Sequence, residues 1–157
     1  MPSGKDEIFN LLIEQENLLG QLYTIYRDIF PELADFWGQL VTEEKAHADV
    51  LAELSKSIDD KTVFFDQRKF TALGLSASIE YIRKQLQTAT IRRLTLLKAL
   101  STAFDLETTL IEKEFFNVVV SDTLRIKTEF GKLRERTQEH VRRVAARLGT
   151  ERARSAS

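Results

Sequence analysis

Alternating steps of four and three residues along the chain trace long apolar seams, each interrupted near its middle by ionisable or polar residues. The first seam is Phe9, Leu12, Glu16, Leu19, Tyr23, Tyr26 and Phe30; the second is Leu33, Trp37, Leu40, Glu44, His47, Leu51, Leu54 and Ile58. Steps of this size keep side chains on one face of an α-helix. The first seam predicts a helix running to about Asp28, with Asp6 as its N-cap. Pro31 forbids a continuous helix but suits the first turn of a new one. A second helix is therefore expected from Pro31 to about Ser57, antiparallel to the first because the connection is so short.

From Ile58 to Leu75 no period is sustained. Such a stretch suits a long connection from one helix pair to the other, with Phe64-Phe65 lying over the bundle end. Residues Ser76 to Ala89 predict a short amphipathic helix with Ile79, Ile82 and Leu86 inward. The next helix is expected from Ile91 or Thr95 to Val119, with Leu97, Leu100, Phe104, Glu107, Ile111, Glu114 and Val118 in register. Ser121-Asp122 offers a break and a cap. The last helix carries Ile126, Phe130, Leu133, Thr137, His140, Val144 and Leu148, and Gly149 is expected to end it. The expected fold is all-α: an antiparallel four-helix bundle over residues 6–148, with a long connection and a short extra helix between helices two and three. The ends, 1–5 and 149–157, are expected to be flexible.

Composition agrees with this pattern. Two prolines and six glycines are few for 157 residues, and the length suits one domain. A net charge of −1 creates no field toward nucleic acid or an anionic membrane. The basic groups Arg83, Lys84, Arg92 and Arg93, and those from Arg134 to Arg147, are interleaved with acids or spread around helices, as on solvated faces. With zero cysteines, disulfides, thiolate metal sites and a cysteine nucleophile are excluded. The N-terminus has no apolar signal region, and no run approaches the roughly 20 apolar residues of a membrane span. A cytoplasmic protein with neither nucleic acid nor membrane as partner is expected.

The residues that break the seams carry the candidate chemistry. Glu16, Glu44, His47, Glu107, Glu114, Thr137 and His140 occupy positions where core belongs, and both histidines of the chain are among them. Glu44 and His47 are three residues apart, so one helical face presents both. Trp37-Gly38-Gln39-Leu40 before His47 is echoed by Phe130-Gly131-Lys132-Leu133 before His140, as if two similar helical hairpins faced each other. Buried unpaired carboxylates cost several kcal/mol or take up protons, so several at one level of a bundle call for a cation. Carboxylates with neutral imidazoles suit iron or manganese, and sulfur-free coordination suits zinc less well. Simpler readings exist for each residue. Glu44 and His47 can be a surface pair, Glu14 competes with Glu16 and Asp105 with Glu107 for the inward position, and His140 can be a satisfied core histidine. The seam favours Glu16 and Glu107.

Glu16 with Tyr23 two turns on, Glu44-x-x-His47, Glu107 and a last helix bearing His140 resemble the ferritin-like superfamily, in particular rubrerythrin- and bacterioferritin-type di-iron bundles. The resemblance covers roughly Asp6 to Ser57 and Thr95 to Leu148. It implies metal ligation by Glu16, Glu44, His47, Glu107 and His140, with Glu44 bridging and Tyr23 donating a hydrogen bond to the carboxylates. It implies one or two iron ions, with manganese or zinc as alternatives, reacting with dioxygen or peroxide. A homodimer is the assembly expected of it. The chain departs from that pattern at Thr137, where the second Glu-x-x-His would have its glutamate. Glu114 lies one heptad after Glu107, about 10 Å further along the axis, and suits a supporting role. The four-cysteine rubredoxin module of rubrerythrin is missing, so turnover would need an external reductant. The alternative expectation is a degenerate bundle serving as a metal sensor, accessory or interaction module.

Overall fold

The computed structural model describes residues 4–57, 63–65, 72–91, 93–112, 119–121 and 124–156. They form five helices and a small two-stranded ribbon: α1 (Gly4–Ile29), a 3-10 turn (Pro31–Leu33), α2 (Ala34–Ser57), β1 (Val63–Phe65), α3 (Ala72–Ile91), α4 (Leu96–Glu112), β2 (Val119–Ser121) and α5 (Leu124–Ala156). The protein is a helical bundle, as the seams require. None of the described helices is long and apolar enough to cross a membrane.

Pro31 acts as expected. Its fixed φ and missing amide end α1 and start the 3-10 turn, and the amide of Leu33 donates to the Phe30 carbonyl at 3.0 Å. α2 then folds back along α1 in the antiparallel sense, since Glu16 lies by His47, Gly20 by Glu44 and Arg27 by Gly38. α4 packs along α5, and α3 covers the outer side of α1. The two hairpins are joined in the core, where Phe9 meets Phe130 edge-on at 6.0 Å, and at the surface, where the Arg147 guanidinium lies over the Phe36 ring at 5.7 Å. Ser78 of α3 donates to the buried Gln15 at 2.8 Å, while Arg83 pairs with Glu14 at the rim of the same contact.

The seams are the core. All seven residues of the first and every described residue of the second except the partly buried Leu33 are buried, as is the α5 seam from Ile126 to Leu148. Trp37, Tyr23 and Tyr26 form a compact aromatic group beneath the polar centre, with Tyr26 and Trp37 at 5.0 Å.

Several boundaries differ from expectation. α1 begins at Gly4, inside the segment expected to be flexible, which puts Asp6 in the first turn; its carboxylate there favours the positive end of the helix dipole. α3 begins at Ala72, ahead of the expected Ser76. α4 starts after Thr95, one of its two expected starts, whose hydroxyl accepts from the Lys98 amide at 3.1 Å as an N-cap. Val119, expected to close that helix, belongs instead to β2, where Val119 pairs with Phe65, Val120 with Phe64 and Ser121 with Val63. β-branched and aromatic residue types favour a strand over a helical turn. Phe64 and Phe65 thus lie in a strand tying the two inter-helix connections together. Finally, α5 runs through Gly149 to Ala156, so Gly149 does not end it.

Candidate metal centre

The helices that carry the seams each send polar side chains to one level of the core. Glu16 comes from α1, Glu44 and His47 from α2, Glu107 from α4 and His140 from α5, and none is more than 1% exposed. Their rivals Glu14 and Asp105 point outward, Glu14 pairing with Arg83 and Asp105 exposed. The acids on either side of Thr137 face away as well: Glu135 is exposed, and the exposed Glu139 pairs with Arg142 at 2.7 Å.

Glu44 is the hub. Its Oε2 lies 3.5 Å from His47 Nδ1 and its Oε1 lies 3.0 Å from His140 Nδ1. His47 Nδ1 is also 3.7 Å from Glu16 Oε2, and His140 Nδ1 is 3.5 Å from Glu107 Oε1. One donor atom each from Glu44, His47 and His140 falls within 4.8 Å of the others. Close approach does not bring hydrogen-bond geometry with it. Both oxygens of Glu16, both of Glu44, Oε2 of Glu107, Nδ1 of His47 and both ring nitrogens of His140 are buried without a hydrogen-bond partner. Buried polar atoms are rarely left so, and a group of them converging on one volume suits a cation that accepts their lone pairs.

The electrostatics lead to the same place. Burial pushes the Glu16 carboxyl well above its ordinary value, and the neighbouring Glu44 carboxylate adds to the shift. Burial works against charge on His47, but the Glu16 and Glu44 carboxylates outweigh it and raise the imidazole to about 10. His140 is raised to about 11, burial again opposing and Glu107 and Glu44 prevailing. In this state protons on the two rings supply the positive charge that the carboxylates demand. A divalent cation would have to displace them.

Surrounding residues fix the side chains of this group. Tyr23 Oη donates to Glu107 Oε1 at 2.8 Å, and burial together with Glu107 and Glu44 holds its phenol well above the usual range, so it stays a donor. Thr137 is buried, yet its hydroxyl donates to the Leu133 carbonyl at 2.9 Å and is engaged by its own helix. Glu114 lies outside the described residues.

Glu43 was not among the candidates of the sequence. Its Oε2 lies 3.3 Å from His140 Nε2 and 2.5 Å from Arg143 Nη2. His140 thus turns Nδ1 to the centre and Nε2 toward the Glu43 carboxylate, close enough for charge attraction although without hydrogen-bond geometry. Its one sequence signal was the Glu43-Glu44 doublet, since a residue beside the seam carries no periodic mark.

Comparisons with protein-family models, with curated proteins and with solved structures gave no match. Fold and site together define a helical bundle with a buried carboxylate–imidazole group able to hold a metal ion.

Proposed function

We propose that this chain is a ferritin-like iron protein whose buried centre handles dioxygen or peroxide. The observation that carries the reading is the convergence of Glu44, His47 and His140, flanked by Glu16 and Glu107, with most of their carboxylate oxygens and ring nitrogens left without hydrogen-bond partners. Two imidazoles with one carboxylate form a donor set well suited to non-haem Fe(II), and further carboxylates strengthen the preference for a hard cation. Manganese shares these preferences; zinc is less favoured without sulfur ligands.

In this reading Glu44 joins the two imidazoles, and Glu16 and Glu107 complete the oxygen donors from the opposite helices. Bound iron would supply one-electron redox chemistry toward the oxidant, with electrons drawn from an external reductant. The chain's own residues hold that chemistry in place. Tyr23 orients Glu107, Glu43 sets a negative charge beside His140 Nε2, and the apolar seams above and below keep bulk water from the centre.

Thr137 favours a second reading, a metal-binding accessory module without turnover. With its hydroxyl committed to Leu133 and no charge to offer, the centre has fewer carboxylates than a symmetric pair of ions requires. The two readings separate under anaerobic loading with Fe(II) followed by hydrogen peroxide, monitored by near-ultraviolet absorbance. Oxidation of the bound iron faster than in a Glu44→Ala control supports the redox protein; fully bound Fe(II) that peroxide oxidises no faster than in the control supports the accessory module.

A further inference from the structure

A surface cleft between α1 and α2 includes one residue of the centre, Glu16, in its lining. It has a volume of about 330 Å³ and is lined by Glu16, Asn17, Gly20, Gln21, Thr24, Val41 and Lys45. Glu16 belongs to it although its side chain is only 1% exposed, and both of its oxygens lack hydrogen-bond partners. Gly20 lies directly over Glu44: a Cβ built on it would come 3.9 Å from Glu44 Cβ, an ordinary contact distance. The cleft is therefore lined by one residue of the centre, Glu16, whose carboxylate oxygens stay buried, and by Gly20, which has no side chain and packs against Glu44.

Packing does not explain the glycine. There is room for a methyl group, and the position lies well inside α1, where glycine is unfavourable relative to alanine. What a side chain longer than a methyl would do there is fill the cleft. Close by, the Thr24 hydroxyl is turned back to the Gly20 carbonyl at 2.8 Å, so the wall beside Glu16 offers no competing donor from that residue. Against about 30 Å³ for a water in the liquid, the cleft accommodates an ion with part of its hydration shell.

We propose that the Gly20 cleft is the route by which a divalent metal ion reaches the buried centre, with Glu16 as the first carboxylate it meets and Gly20 as the opening. The proposal rests on the metal-centre reading above. Lys45 at the rim opposes a cation electrostatically and so moderates the loading rate without touching the site. A route differs from a ligand in what it governs: blocking it slows arrival and departure alike and leaves the equilibrium in place.

The test uses Co(II) alone as probe, with loading followed by its visible absorbance in stopped flow and release followed with a chelator. Gly20→Leu fills the cleft from α1, and Val41→Phe fills it from α2 should the first variant fold poorly. Each is expected to slow loading and release together by about tenfold, with the dissociation constant unchanged. Lys45→Gln is expected to load faster at low salt. Unchanged loading rates in the filled variants would overturn the route. So would weakened affinity with no fall in the loading rate, because that assigns Gly20 to holding the site instead. Should the unsubstituted protein bind no Co(II) at equilibrium, the metal-centre reading itself fails and the route with it.

Discussion

The imidazole rings of His47 and His140 stack with their centroids 5.2 Å apart and their planes 18° from parallel. Each ring follows its own aromatic-Gly-x-Leu segment at the same interval, so the stacking is how the two halves of the internal repeat meet. Two protonated rings in contact would repel each other, and the Glu16, Glu44 and Glu107 carboxylates offset this.

Metal and protons should therefore compete. With His47 raised to about 10 and His140 to about 11 from an ordinary 6.5, both rings carry protons at neutral pH and must lose them to coordinate. Because both folded values are raised, their contribution to metal-free stability is fully present below pH 6.5 and lost as pH rises through 10 and 11. Glu16, raised as well, acts in the same direction. The metal-free protein should melt at lower temperature as pH rises from 6.5, whereas metal affinity should increase. Calorimetric titration at pH 7 in buffers of different ionisation enthalpy should show proton release on metal uptake; heats independent of the buffer would contradict this.

Glu43 tests whether the outer carboxylate matters to a ligand it never shares. Glu43→Gln keeps the shape but removes the charge facing His140 Nε2 and Arg143. Metal affinity measured by chelator competition should fall about 10–100-fold, with the helical circular dichroism unchanged. An unchanged affinity would reduce Glu43 to a surface ion pair.

Thr137 marks where the site is short of charge. Thr137→Glu places a carboxylate one turn before His140 in a buried position. Without metal, an added buried carboxyl should lower stability by several kcal/mol. With Fe(II) in excess, the metal bound per chain, measured by elemental analysis, should rise above that of the unsubstituted protein. No rise would mean that position 137 does not face the metal volume.

Gly20 separates stability from access. Gly20→Ala adds a methyl group with room to spare and removes backbone freedom from the unfolded chain, so urea denaturation should show a gain of about 0.5–1 kcal/mol. A loss of stability would show that packing requires the glycine.

The seams were legible because burial in a helix leaves a 3.6-residue period. Every described residue of the α5 seam is buried, and Glu16 and Glu107 were separated from Glu14 and Asp105 by register alone. What lay outside that period was hidden. Glu43 is defined by partners on another helix, Arg143 and His140, which local pattern does not reveal. Val119 has the spacing of a helix end, but Phe65, far away in sequence, supplies the strand partner that decides its conformation. Gly149 stays helical since an exposed mid-helix glycine costs only about 1 kcal/mol relative to alanine, too little to break α5.

Glu44, His47 and His140 form a buried group that could hold a metal ion. Anaerobic equilibrium dialysis against Fe(II), followed by elemental analysis of the unsubstituted protein and a Glu44→Ala/His47→Ala variant, tests this most directly. At least one iron per chain is expected in the first, and none above background in a folded double variant. Equal iron in the two proteins, or none in either, would contradict the account.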